Sequence, residues 1–127
     1  MTEPAWLKLR APHERCLAVV TFFHLKWPWH VPGFISRTGE IRRQLAGAEG
    51  LLGYSLRAKP LALKFWTLSA WETQRHLLDF ISHPPHARIM RELQPRMRRF
   101  DIRRWKVDPE RVPVDWREAL ARFDEDG

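Results

Sequence analysis

Cysteine is nearly missing. Cys16 stands alone, so the chain can close no internal disulfide and build no cysteine zinc cage. Tyrosine is equally scarce, with one residue. No run of roughly 18 apolar residues occurs, which excludes a membrane-spanning helix. Met1–Leu9 carries Glu3 and no apolar stretch, so a secretory signal peptide is not expected. With the single cysteine, this reads as a cytoplasmic chain. Also missing are a nucleophile elbow, a P-loop, a dinucleotide fingerprint and an HExxH motif. Acidic residues are few before residue 108: residues 1–107 hold 19 basic and 8 acidic side chains, and residues 108–127 hold 3 basic and 7 acidic.

What is present is the material of a globular protein. The hydrophobic fraction is 44% and the charged fraction 29% over 127 residues, enough for one domain with its own core. That domain divides into an arm at 1–15, a core at 16–107 and an extension at 108–127. Tryptophan is abundant, with seven residues. Its large surface and single N–H donor suit core filling, pocket walls and interface anchors. The net charge of +7 raises encounter rates with anions, including nucleic acid and anionic membrane. The densest basic cluster is Arg96, Arg98, Arg99, Arg103, Arg104 and Lys106. Alternation puts Arg104 and Lys106 on one strand face and Arg99 and Arg103 on the other. No helix-turn-helix, zinc finger or RNP-type motif supports nucleic-acid binding. That reading needs Arg98, Arg99, Arg103 and Arg104 on one exposed patch, unpaired with the acidic tail.

Along the chain, residues 16–25 are β-branched and aromatic and read as a strand. Pro28, Pro32 and Gly33 mark 26–33 as a loop, whose Trp27, Trp29 and His30 are expected to fold over something apolar. Phe34, Ile35, Thr38, Ile41 and Leu45 recur at helical spacing over 34–47. Residues 51–58 read as a strand, with Leu52, Tyr54 and Leu56 on one face. After Lys59-Pro60, a second strand is expected over 61–71, making an antiparallel hairpin. Residues 72–83 and 86–97 read as helical pieces split by Pro84-Pro85. The first has a Leu77, Leu78, Ile81 stripe; the second has His86, Met90, Leu93 and Met97 on one face. A last strand is expected over 99–107 and a terminal helix over 113–123, started by Pro113 and Asp115.

The order β-α-β-β-α-β is the ferredoxin-like arrangement: α+β, with two helices on one face of a four-stranded antiparallel sheet. The other face should then be polar, yet the first strand is apolar in both phases. Cys16, Ala18, Val20 and Phe22 lie opposite Leu17, Val19, Thr21 and Phe23. Strand 61–71 behaves alike, with Phe65, Thr67 and Trp71 opposite Trp66, Leu68 and Ala70. Monomers avoid large exposed apolar patches. A second copy facing the first would cover both sheets, so a homodimer with helices outside is predicted.

The run Phe65-Trp66-Thr67-Leu68-Ser69-Ala70-Trp71-Glu72, then a helix, then Pro85-His86-Ala87-Arg88-Ile89-Met90, resembles the dimeric α+β barrel superfamily. Within it the run is most similar to antibiotic-biosynthesis-monooxygenase-like proteins and related bacterial families of unknown function. The specific part covers about a quarter of the chain; the element order extends the likeness to 16–107. The resemblance implies a small-molecule pocket between helices and sheet, lined from 61–71 and 72–97. The ligand-binding candidates are Trp66, Phe80 and Met90, with Trp29 from the aromatic loop. His86 and His24 are the catalytic candidates. Aromatic walls with few polar groups suit a flat apolar ligand.

Three chemistries follow. A cofactor-free oxidation of an aromatic or polyene substrate needs a base and a polar handle on the resulting oxyanion; His86 or His24 and the Trp66 indole N–H would supply them. A non-catalytic ligand binder or stress-associated protein would use the same pocket without them. A basic surface for nucleic acid or anionic membrane is the third. Haem-degrading members carry a ligating His and a haem-ruffling Trp at the positions that fall on Met90 and Phe80, so haem would need His86 as a shifted ligand. His83 and His86 are three apart, but Pro84-Pro85 interrupts the helix between them, and no metal site is expected.

Overall fold

The computed structural model describes residues 4–7 and 9–123. Asp124, Glu125 and Asp126, the last acids of the 108–127 extension, lie outside them. Strand β1 spans Cys16–Leu25, helix α1 Val31–Ala46, β2 Leu51–Lys59 and β3 Lys64–Trp71. Helices α2 (Gln74–Ser82) and α3 (His86–Leu93) follow, then β4 (Met97–Val107) and α4 (Trp116–Ala121). The four strands form one antiparallel sheet in the order β2-β3-β1-β4. This is the ferredoxin-like βαββαβ arrangement with an added terminal helix.

Several boundaries move for local reasons. Helix α1 begins three residues before the expected start and includes Pro32 and Gly33. Proline in a first turn has no intrahelical hydrogen bond to lose, so it starts the helix rather than stopping it. Thr73 is the N-cap of α2, its hydroxyl accepting from the His76 N–H at 3.2 Å, instead of a first-turn residue. Strand β3 begins at Lys64 because 60–62 form a 3-10 turn and Leu63 takes a left-handed conformation, φ 61°, which no strand passes through. In α2 the buried residues are Leu77 and Phe80, whereas Leu78 is exposed. Pro95 sits in a 3-10 turn after α3, and β4 starts at Met97.

Cross-strand partners share a face, so the register sorts the sheet into two surfaces. The first carries Val19, Thr21 and Phe23 of β1 against α1, α2 and α3, with Leu45, Leu77, Phe80, Phe34, Ile89 and Leu93 packed on it. The second carries Cys16, Ala18 and Val20 with Leu68, Ala70 and Trp105. That outer surface is covered by the chain itself. Val114, Trp116 and Ala119 are buried on it, and Trp6 of the arm packs beside them.

Hydrogen bonds pin these terminal segments. The Trp116 indole N–H donates to Ser55 Oγ at 2.9 Å, and Ser55 Oγ reaches the Ala5 carbonyl at 3.0 Å. The Trp6 indole N–H donates to the Val114 carbonyl at 3.2 Å. Leu7 and Tyr54 exchange backbone bonds of 2.7 and 3.0 Å, which lay the arm along β2. The expectation that a second copy must shield this face loses its premise here, because residues 4–7 and 112–123 do the shielding. Each fully buried large apolar side chain in such a seal contributes on the order of 1.5–3 kcal/mol.

Candidate functional site

A cavity of about 520 Å³ lies between the helices and the sheet. Its floor comes from β1 and β3 through Val19, Thr21, Phe23, Thr67 and Ser69; its far wall comes from Phe80, Ile81, His86 and Met90 of α2, α3 and their junction. Trp71, fully buried, closes one side with its ring 5.1 Å from that of Phe80. The lining is dominated by apolar side chains, as expected for a pocket that holds a small organic molecule.

His86 is the one histidine in this lining. Its backbone N–H donates to Gln44 Oε1 at 3.0 Å, while Gln44 Nε2 donates to the Phe80 carbonyl, also at 3.0 Å. Gln44 of α1 thus clamps the end of α2 and the start of α3, which fixes the histidine against the sheet. The ring packs 5.2 Å from Phe80, and its Nδ1 lies 3.3 Å from the Ile81 carbonyl. A carbonyl only accepts, so Nδ1 carries the proton and Nε2 keeps a lone pair. Burial holds this imidazole below its ordinary pKa, with the Ile81 hydrogen bond opposing the shift. A neutral ring with a free basic nitrogen is the result.

The structure brings together His86, Phe80 and Met90 and leaves the other three candidates elsewhere. Trp66 pairs with Phe22 and Arg57 across the sheet, which puts all three on the outer surface. The Trp66 ring lies 5.2 Å from Phe22 and beneath the Arg57 guanidinium at 4.7 Å. His24 belongs to the same phase of β1. Burial lowers its pKa, and Arg98, Lys64 and Arg99 lower it further; it does not line the cavity. Trp29 is 69% exposed and stacks on Trp27 at 5.2 Å with an interplanar angle of 7°. The loop therefore closes its aromatics on each other in solvent instead of over an apolar surface.

Sequence reasoning missed Tyr54, Arg42 and Arg104, all of which line the cavity. The signal for Tyr54 was in its strand phase: it pairs with Ser69 on the helix-covered face. Two other polar groups of the lining are engaged within the fold. Thr38 Oγ1 donates to the Phe34 carbonyl at 2.9 Å, and Ser69 Oγ accepts from the Trp71 indole at 3.0 Å. Met90 and Phe80, at the positions where the resemblance implies a haem ligand and a haem-ruffling Trp, bring neither an imidazole nor an indole N–H, which leaves His86 as the one imidazole of the lining. Among the described residues, no three His, Cys, Asp or Glu side chains come together as a metal site.

The basic cluster does not form one surface. Arg104 lines the cavity, whereas Arg99 and Arg103 lie on the outer face and both pair with Asp101. Among the described residues no helix is long and apolar enough to cross a membrane. Burial pushes the Cys16 thiol up, and its Sγ–H donates to the Val107 carbonyl at 3.9 Å, so it is an inert core thiol.

No family model and no curated protein sequence matches the chain. Solved structures do. An antibiotic biosynthesis monooxygenase matches with TM-score 0.62 at 16% identity, over 72% of this chain and 96% of that one. A dimeric ferredoxin-like protein of unknown function from Thermobifida fusca YX matches with TM-score 0.64 at 14% identity, over 80% and 99%. A variant of SnoaB, a cofactor-independent oxygenase from Streptomyces nogalater, matches with TM-score 0.57 at 13% identity, over 73% and 92%. Each neighbour is matched over nearly its whole length, so this chain carries residues beyond the shared fold. The chain has the ferredoxin-like α+β fold of these solved structures.

Proposed function

We propose that the cavity is a small-molecule site and that the protein is monooxygenase-like, oxidising an aromatic or polyene substrate without a resident cofactor. The observation that supports this most is His86, a neutral imidazole with Nε2 unprotonated in the wall of an apolar cavity. Such a base suits a substrate whose C–H is acidified by conjugation. Proton transfer to Nε2 leaves a carbanion with charge on a neighbouring oxygen, and the Tyr54 hydroxyl of the same lining is a donor for that oxygen. Dioxygen then converts an activated CH2 to C=O, one oxygen atom staying and the other leaving as water, so no external reductant is consumed. His24 and Trp66, on the outer surface, take no part in this scheme.

Oxygen uptake with anthrone as an activated-methylene probe tests the reading. Uptake above the buffer rate is expected, with a loss of about a hundredfold in His86→Gln. Uptake at the buffer rate with anthrone bound would refute the oxidation alone; no binding would refute the site as well.

A non-catalytic binder is the second reading. It is favoured by the hydroxyls of Thr38 and Ser69 being engaged within the fold, and by His86 hydrogen-bonding, among the described residues, only to Ile81 and Gln44. The dimeric neighbour supports a homodimer, joined through what the terminal segments leave open on the outer face around Phe22 and Trp66. Native mass spectrometry of protein from its own host reads any retained ligand and the subunit count together. A mass of one 15.2 kDa protomer would sink the dimer. The lone buried Cys16 suits a reducing compartment, and we place the protein in the cytoplasm.

A further inference from the structure

Two arginines, Arg42 and Arg104, and no acidic residue belong to the cavity lining, and both arginines are exposed at its edge. Arg42 comes from α1 and Arg104 from β4. On α1 and α3, Arg37 and Arg88 are neutralised. Arg37 pairs with Glu92 at 3.2 Å, and Arg88 pairs with Glu40 at 2.8 Å and Glu92 at 3.1 Å. On β4, Arg99 and Arg103 share Asp101. Arg42 and Arg104 meet no carboxylate among the described residues. An apolar space that collects positive charge and no compensating acid is electrostatically suited to an anion that arrives with its own apolar body.

The opening of the cavity says where that anion sits. Strand β4 is an edge strand, and Phe100 and Ile102 line the cavity while remaining 44% and 39% exposed. The cavity therefore opens over β4. Arg104 is the next residue in the same phase of that strand, exposed and also in the lining. A ligand whose apolar part passes Phe100 and Ile102 into the interior would leave its polar end beside Arg104 at the rim. The planar guanidinium fork matches a carboxylate there.

We propose that the ligand is an amphipathic organic anion, an aromatic or polyene body ending in a carboxylate, held at the mouth by Arg104 with Arg42 as a second positive charge. This rests on the cavity being a small-molecule site. Calorimetric titration with naphthoate and with its uncharged methyl ester tests it. Naphthoate should bind the wild-type protein about fivefold more tightly than the ester, the order expected for a rim-exposed ion pair. Arg104→Gln should erase that preference and Arg42→Gln should reduce it, with the urea midpoint of both variants at the wild-type value. The urea midpoint is the folding control. Equal binding of the two probes, a preference that survives in Arg104→Gln, or a loss confined to Arg42→Gln would overturn the proposal while leaving the cavity as a binding site. Binding of neither probe would overturn the cavity reading along with it.

Discussion

The two faces of the sheet are built from the same strands and treated in opposite ways. The helix-covered face keeps a cavity of about 520 Å³ even though Phe23, Phe34, Phe65, Ile89 and Leu93 pack tightly at one end of it. The outer face, with no helix pair over it, is sealed over Cys16, Ala18 and Val20 by segments from the two ends of the chain. Four of the seven tryptophans (Trp6, Trp66, Trp105 and Trp116) belong to that outer cluster, and Trp71 alone lines the cavity. Indole surface is thus concentrated where the chain must hold itself together. The space for a ligand is walled by Phe23, Phe34, Tyr54, Phe80 and Phe100, with Trp71 as its one indole. At the edge of the seal, the outer face carries aromatic rings capped by arginines: Arg57 over Trp66, Arg99 over Phe22 and Arg103 over Phe123 of the terminal segment itself.

The comparison breaks most readily at Trp116. If the terminal segment is a structural seal, Trp116→Ala should cost about 3–5 kcal/mol, the usual loss for a buried tryptophan, read as a lower urea midpoint. The folded protein should still bind a cavity ligand with unchanged affinity, because Trp116 lies across the sheet from the site. Trp116→Phe keeps most of the packing and removes only the donor to Ser55, so about 1 kcal/mol is expected. Near-wild-type stability for Trp116→Ala would mean that the outer face is covered by something else, and a second copy would regain its argument.

The sequence made the double apolar character of β1 legible, together with the element order and hence the fold. It also contained the cover, in Trp6, Val114, Trp116 and Ala119, but hydrophobic periodicity says that a segment will be buried and not against what. A partner molecule and a terminal segment answer the same pattern. Trp66 lies away from the cavity for a simpler reason. It alternates with Phe65 and Thr67, so once those two face the helices it must face away, and His24 follows Phe22 in the same manner. Helical spacing places His86 and Met90 on one face, whereas Phe80 comes from the resemblance, since the stripe read for its helix is Leu77, Leu78 and Ile81. Arg104 was read only as charge on a strand. Its place at the cavity rim depends on how far α1, α2 and α3 extend across an edge strand, which no local pattern encodes.

The helix-covered face carries a titration of its own. His86 is held below the ordinary imidazole value of about 6.5 by burial. The unfolded chain therefore binds a proton that the folded chain resists. Its effect is absent well above that value, and stability falls as pH drops through about 6.5, levelling off below the depressed value. Urea midpoints measured from pH 8 down to pH 5 should decline, and His86→Gln should flatten the decline. His24 on the outer face is lowered as well, so the His24→Gln variant is the matched control. A decline removed by His24→Gln and kept in His86→Gln would assign the titration to the wrong side of the sheet. Proton abstraction by Nε2 needs the same neutral ring, so anthrone oxidation should fade over the same acidic range.

The smallest effect is expected where neither face is involved. Trp27 and Trp29 lie 49% and 69% exposed and stack on each other, outside the outer cluster and outside the cavity lining. Trp29→Ser removes one ring of a solvent-exposed pair, so the change in stability should stay within about 0.5 kcal/mol, and binding of the uncharged naphthoate ester should be unaltered. A weakened ester affinity would show that the loop reaches the ligand in solution, returning Trp29 to the site and placing an aromatic arm over a cavity whose opening otherwise runs along β4. A loss of stability well beyond that range would instead show that the indole pair rests on the body of the protein, adding a third buried surface to the two that the sheet already provides.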